Sequence, residues 1–521
     1  FNRFGTDGDG ISDDLEGNVL SGNGADGDYG SGLVMLGNQI EQNFVAGNMI
    51  GTDITGTFAI GNMLEGIALG GGASANLFGT NGDGASDELE RNVISGNGTH
   101  GIVVWDGRFG GDDNTDSNII AGNTIGTDLT GTFAIGNTLD GIYFVAGQFN
   151  LVGSNGDGVS DALERNIIAG NGRDGIVIAE ASNNTIAGNF IGTDVTGNTA
   201  LANVSNGVFL TLGASGNKIG GRSNRRNIIS GNAGTGVAID GASAGNWVAG
   251  NWVGIGADGS TVLSNFKGIT INNASGQIIG TNSDGVDDGL EGNVVTANEL
   301  RGIEIAGNSQ SNVIAGNLVG TGPDGVTLVG SQDYGVTLGG NSQNNLVGTD
   351  GDGQSDILER NVISGAQGNE VTLIGPGVIG NRVAGNFIGL AADGTTLVLN
   401  ADRGVTIESG ASGNIIGTNS DGLGDSIEGN VIGGMTQMGI RITASNGNLV
   451  AGNLIGTDDS GLTAAPNALG IKIENGATGN LIGTDGDGIN DAGERNVISG
   501  NSSAGILLQS DANTVAGNLI G

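Results

Sequence analysis

One acidic phrase, repeated at near-constant spacing, limits this chain more than anything else in it. Around Gly79 the sequence reads GTNGDGASDELERN, and counterparts begin at Thr6, Ser154, Thr281, Thr349, Thr418 and Thr484. The first Asp or Asn of each copy falls at 7, 81, 155, 282, 350, 419 and 485, and the intervals are 66 to 74 residues apart from one of 127. That long interval is two periods with one acidic phrase missing. A fixed period marks a stack of repeats, each too small to bury its apolar face alone.

A second marker halves the repeat. Gly-Ile-x-Ile-like pieces recur from Gly32 through Gly66, Gly101 and Gly141 to Gly505 about every 34 residues, with Glu370 in place of one glycine. Pairs such as Ile102/Val104 and Ile176/Ile178 alternate with the period of two that strands require. The apolar pieces are bounded by Gly and Asn and are too short for helices. One kind of turn runs through 101–105, 118–123 and 124–126 and closes with a TDxTG loop at 127–140. The other runs through 141–145, 150–153 and 165–170, with the acidic loop between its second and third strands.

Turns of three short strands stacked about 4.8 Å apart give a parallel β-helix. The crossover rule for parallel strands favours the right hand. The sequence therefore predicts an all-β, right-handed parallel β-helix of about 15 coils, a rod roughly 70 Å long at that rise. It reads as one continuous domain over 1–521 and as a segment of a longer array, since Phe1 and Gly521 both interrupt a coil. The chain starts at Phe1 with no signal peptide in view, which suits a mature or excised piece of an extracellular protein.

Composition agrees. Only 4% of residues are aromatic, yet Ile, Val, Leu and Ala bring the hydrophobic share to 37%, which suits thin core layers. The net charge of −38 leaves no basic patch for nucleic acid or an anionic membrane surface. There is no cysteine, so no disulfide framework. No apolar run reaches transmembrane length.

Asparagines mark the corners. One ends an AGN in every larger repeat, at Asn48, Asn123, Asn189, Asn251, Asn317, Asn386, Asn453 and Asn518. Another follows each acidic loop or its missing equivalent, at Asn18, Asn92, Asn166, Asn227, Asn293, Asn361, Asn430 and Asn496. Asn tolerates sharp corners, and stacked amides hydrogen-bond between layers, so ladders are expected.

The phrases NVISGN, GIVI, NTIAGNFIGTD and GASGNKIGG resemble the right-handed β-helix repeats of the pectin-lyase-like superfamily, and more closely repeat arrays in large bacterial secreted and surface proteins. The resemblance covers essentially the whole chain and implies fold, while the superfamily hosts lyases, hydrolases, phage spikes and adhesins alike.

The acidic loops resemble the calcium loops of EF-hands, dockerins and thrombospondin type 3 repeats. With Gly79 as position one, Asn81, Asp83, Asp87 and Glu90 fall at positions three, five, nine and twelve, and Gly84 at the sharp bend. The same offsets give Asp7, Asp9, Asp13 and Glu16; Asn155, Asp157, Asp161 and Glu164; Asn282, Asp284, Asp288 and Glu291. They also give Asp350, Asp352, Asp356 and Glu359; Asn419, Asp421, Asp425 and Glu428; Asp485, Asp487, Asp491 and Glu494. These are the expected ligands of several Ca²⁺ ions, one per loop. Position one is the departure, being Gly where those families have Asp. That points to modest affinity, about 10⁻⁴ to 10⁻³ M.

In the copy without an acidic loop, GGRSNRRN carries Arg222, Arg225 and Arg226, which are expected to face neighbouring acids in place of an ion. The lone Asp of each TDxTG loop reads as an Asx-turn. His100 is the only histidine and reads as a surface turn residue; Lys218, Lys267 and Lys472 are too scattered for the base that pectate lyases set beside calcium. Trp105, Trp247 and Trp252 do not repeat with the period.

The sequence therefore predicts a calcium-stabilised, non-catalytic β-helix of an extracellular or cell-surface protein: an adhesin stalk, a sheath or a filament subunit. Its expected partners are further copies joined end to end, or carbohydrate at the cell surface. The alternative is a polysaccharide lyase or epimerase, or a carbohydrate-binding face.

Overall fold

Every apolar piece forms a strand that pairs in parallel with its counterpart one coil away. The computed structural model describes residues 1–24, 30–105, 115–398 and 401–521. It divides into two units, Phe1–Phe266 and Lys267–Gly521, each with three parallel sheets.

In the first unit the first sheet keeps Phe44, Leu77, Ile119, Leu151 and Thr185 in register. The second aligns Val93, Thr124, Ile167 and Phe190, and the third Ile67, Ile102, Ile142 and Ile176. The second unit repeats this, with Val313, Leu346, Arg382 and Ile415 aligned in its first sheet. The chain is an all-β parallel β-helix, with the three-strand coils and corner loops that the sequence predicts.

Each coil points one residue inward from the first sheet, one from the second and two from the third. Val152, Ile168, Ile142 and Phe144 form one such layer, and none exposes any surface. Burying each contributes about 1.5–3 kcal/mol relative to exposure.

Both sets of corner asparagines enter one ladder. In the first unit Asn48 donates to Asn92, Asn92 to Asn123 and Asn123 to Asn166, each through the side-chain amide at 2.9–3.0 Å. The amides also cap backbone carbonyls, as Asn166 does for Ile120 at 2.8 Å. Two further ladders stand at the other corners, through Asn76, Asn118 and Asn150 and through Asn62, Asn97 and Asn137. In the second unit the last of these has Ala366 in a ladder position, and Glu370 fills in. Its buried carboxylate accepts from the Gly365 and Ala366 amides at 2.8 and 3.2 Å.

Candidate metal centres in the acidic loops

Position one of each acidic loop ends a strand of the first sheet, and the fold dictates its identity. Gly79 has φ +99°, and a Cβ there would lie 1.8 Å from the Ala121 carbonyl oxygen of the next coil. A Cβ at Gly5, Gly153, Gly280, Gly348, Gly417 or Gly483 would likewise lie 1.7–2.0 Å from the equivalent alanine carbonyl oxygen. No side chain fits, so the aspartate of EF-hand loops is excluded sterically.

From that glycine the chain closes on itself in the same way seven times. The terminal glutamate reaches back to the backbone N–H of position three: Glu16 to Asp7, Glu90 to Asn81 and Glu164 to Asn155, at 2.9–3.0 Å. Glu291, Glu359, Glu428 and Glu494 do the same at 3.0–3.2 Å. The position-nine aspartate accepts from the bend glycine, as Asp13 does from Gly10 at 3.0 Å and Asp288 from Gly285 at 3.2 Å. A single helical turn carries these two acids, Asp13–Glu16, Asp356–Glu359 and Asp425–Glu428 being examples.

Five loops gather three carboxylates with oxygens within 4.8 Å of one another: Asp7, Asp13 and Glu16; Asp284, Asp288 and Glu291; Asp350, Asp352 and Asp356; Asp421, Asp425 and Glu428; Asp485, Asp487 and Asp491. Asn81, Asp83, Asp87 and Glu90, and Asn155, Asp157, Asp161 and Glu164, follow the same hydrogen-bond plan without such a triad of acids. Burial pushes the carboxyls of Glu90, Glu164, Glu291 and Glu359 up from their ordinary range.

The residues fit a hard cation. Asp13 and Asp288 are 4% and 5% exposed, and Oδ1 of each has no hydrogen-bond donor. A buried carboxylate oxygen left in that state is costly, and Ca²⁺ takes six to eight oxygens of this type. The TDxTG loops differ. Asp128 accepts from the Thr132 and Phe133 amides at 2.9 Å and from Thr130 Oγ1 at 2.6 Å, so donors of its own loop serve it, at amides four and five residues on rather than the two of an Asx-turn.

Neighbouring loops interlock. Glu90 Oε1 packs against Gly8 of the preceding loop and Glu164 Oε1 against Gly82. Ser160 Oγ donates to Asp87 Oδ2 at 2.5 Å, and Ser283 Oγ to Glu359 Oε1 at 2.5 Å.

No protein-family model matches the chain, and no curated protein sequence matches it. Solved structures do. The periplasmic alginate epimerase AlgG, in its T265N form, is 13% identical over 74% of this chain and 77% of its own, with a TM-score of 0.46. The A-module of Azotobacter vinelandii mannuronan C-5 epimerase AlgE4 is 11% identical over 91% of each chain, TM-score 0.34. PfbA, a surface adhesin of Streptococcus pneumoniae, is 10% identical over 84% of this chain and 83% of its own, TM-score 0.27. With its three parallel sheets, this chain is a parallel β-helix. Two of these three neighbours are enzymes, which corrects the expectation of a non-catalytic chain: a β-helix of this kind is no ground for excluding catalysis. Of these neighbours AlgG is periplasmic and PfbA is a surface adhesin. Among the described residues no helix of the β-helix is long and apolar enough to cross a membrane.

Where the acidic loop is missing, Arg225 and Arg226 have different roles. Arg225 lies over Gly156, with its Cγ 2.7 Å from where a Cβ there would stand, and faces Asp161 and Glu164. Arg226 is periodic instead. Its Nε donates to the Gly250 carbonyl and its guanidinium stacks 4.2 Å above Trp252, as Arg165 stacks on Phe190. These two pairs line a cleft of about 420 Å³ together with Asp161 and Asn224.

His100 is more than a turn residue. Its Nδ1 lies 3.1 Å from Asp140 Oδ2, its ring stacks on Tyr143 with centroids 5.0 Å apart, and Arg173 stands 3.8 Å from the same carboxylate oxygen. Sequence reading missed this grouping because the four residues come from three successive coils. Their shared position just before or within the Gly-Ile strand is the signal that could have found it.

Proposed function

We propose that this chain is a calcium-clamped β-helix of a cell-envelope or extracellular protein, in the manner of a stalk, sheath or filament segment. Each acidic loop is a Ca²⁺ site. The observation that carries the reading is the set of convergent carboxylates, in which one buried oxygen each of Asp13 and Asp288, Oδ1, has no protein donor. When bound, calcium supplies positive charge to those oxygens. The chain's own residues do the rest: Glu16 and its counterparts hold the loop closed through the position-three amide, and Gly10 and its counterparts orient the aspartate. Negative-stain microscopy of the whole chain with calcium, and after chelation, tests this. Particles that lose order on chelation support it, and particles indifferent to chelation refute it.

A second reading is catalysis on polysaccharide, and His100 favours it. His100, Asp140, Tyr143 and Arg173 place an imidazole, a carboxylate, a phenol and a guanidinium together, the groups that proton transfer needs. Incubation with alginate and with a neutral glucan, comparing the native chain with His100→Ala, tests it. Turnover that the substitution abolishes supports this reading; turnover unchanged by it, or none on either polymer, counts against it.

A further inference from the structure

The seven loops share a plan but differ in what already faces their carboxylates. The loop at 418–428 brings together Asp421, Asp425 and Glu428, as the loop at 281–291 brings together Asp284, Asp288 and Glu291. In the former, Arg382 of the intervening coil inserts its guanidinium. Its Nη2 pairs with Glu428, and its Nη1 donates to the Asp350 carbonyl at 3.2 Å. Glu428 is fully buried, so this pair is little screened by solvent. In the 281–291 loop no guanidinium pairs with any of the three carboxylates among the described residues. The Thr281 hydroxyl has one proton and gives it to Glu291 at 3.1 Å. Asp288 Oδ1, in a side chain 5% exposed, is left without a donor.

The register of the first unit repeats the contrast. Gly8 and Gly82 each face the terminal glutamate of the following loop, Glu90 and Glu164. Gly156 faces Arg225, which stands immediately before Arg226-Asn227 just as Glu164 stands before Arg165-Asn166. Arg225 therefore occupies the place of a terminal glutamate with opposite charge. In the loop at 6–16 Asp13 keeps a donorless buried oxygen, and the Arg3–Asp7 pair there is more than a third exposed and weak.

We propose that guanidinium and divalent ion are alternative fillings of these loops. The 281–291 and 6–16 loops take ions more tightly than the others; the 418–428 loop, filled by Arg382, and the 154–164 loop, covered by Arg225, bind them weakly or not at all. This rests on the calcium reading above and assigns an uneven occupancy to it. A guanidinium places a positive charge among the carboxylates without needing an ion, which makes those coils independent of calcium supply.

Calorimetric titration of the whole chain with Ca²⁺, alongside Asp288→Asn and Arg382→Gln, decides it, with circular dichroism confirming the fold of each. The native chain is expected to show a tight class of fewer than seven ions. Asp288→Asn loses one ion from that class, and Arg382→Gln gains one. Either variant is decisive without the other. Seven equivalent ions, an unchanged count in Asp288→Asn, or no gain in Arg382→Gln overturns the proposal while leaving the calcium reading standing. No binding heat in any chain overturns the calcium reading itself.

Discussion

Gly79 faces the carbonyl oxygen of Ala121 so closely that a Cβ at position 79 would come within 1.8 Å of it. The two residues belong to successive coils, and their contact denies a first ligand to any ion the loop would hold. The loop starts at the point where two backbones are packed together, so the first ligand of an EF-hand has no room. Oxygens for an ion must come from later in the loop.

Restoring the EF-hand aspartate should therefore harm the chain. Gly79→Asp, at φ +99° and against the Ala121 carbonyl, is expected to destabilise by about 3 kcal/mol or more without tightening calcium. Urea unfolding followed by calcium titration checks both parts.

The asparagine ladder makes a separate prediction. Asn166 accepts from the Asn123 backbone and side chain at 2.9 and 3.0 Å and donates to Ile120 and Asn189 at 2.8 and 2.9 Å. Asn166→Ala leaves several of these buried groups without partners, at a cost of about 3 kcal/mol. Asn308→Ala, at an exposed corner of the second unit, should change stability by no more than about 0.5 kcal/mol. Denaturant midpoints of the two variants make the comparison.

Glu370 gives the chain a pH dependence. Burial pushes its carboxyl from 4.5 up to about 8, against the opposing hydrogen bonds from Gly365 and Ala366. Across that window the folded chain holds a proton that the unfolded chain has released. Its stabilising contribution is complete below 4.5, falls as pH rises, and is gone above about 8. Glu370→Gln should remove that slope, which unfolding midpoints measured across the window will show.

Much of this fold is legible in the sequence. The alternation of Ile142 with Phe144 and the spacing of the Gly-Ile pieces lead directly to stacked parallel strands, and the structure has them. The AGN and loop-following asparagines read as ladders, but their merging into one column depends on which corner follows which sheet. The Asn76–Asn118–Asn150 ladder escaped notice because no fixed tripeptide surrounds it. At the loops, the glycine at position one was visible as a departure, whereas its cause lies in a carbonyl one coil away. Of the three arginines in the missing loop, the sequence could not tell that Arg225 faces Asp161 and Glu164 while Arg226 rests on Trp252. Glu370 stood out as a replaced glycine, and only its contact with Ala366 explains it.

Thermal unfolding with and without calcium tests whether divalent ions hold the acidic corners closed, as proposed. A site with a dissociation constant of about 10⁻³ to 10⁻⁴ M contributes about 1.4–2.7 kcal/mol at roughly 10 mM free Ca²⁺. The account predicts a melting temperature that rises with calcium over the millimolar range and falls again on chelation. A melting temperature that stays constant across the same titration would contradict it.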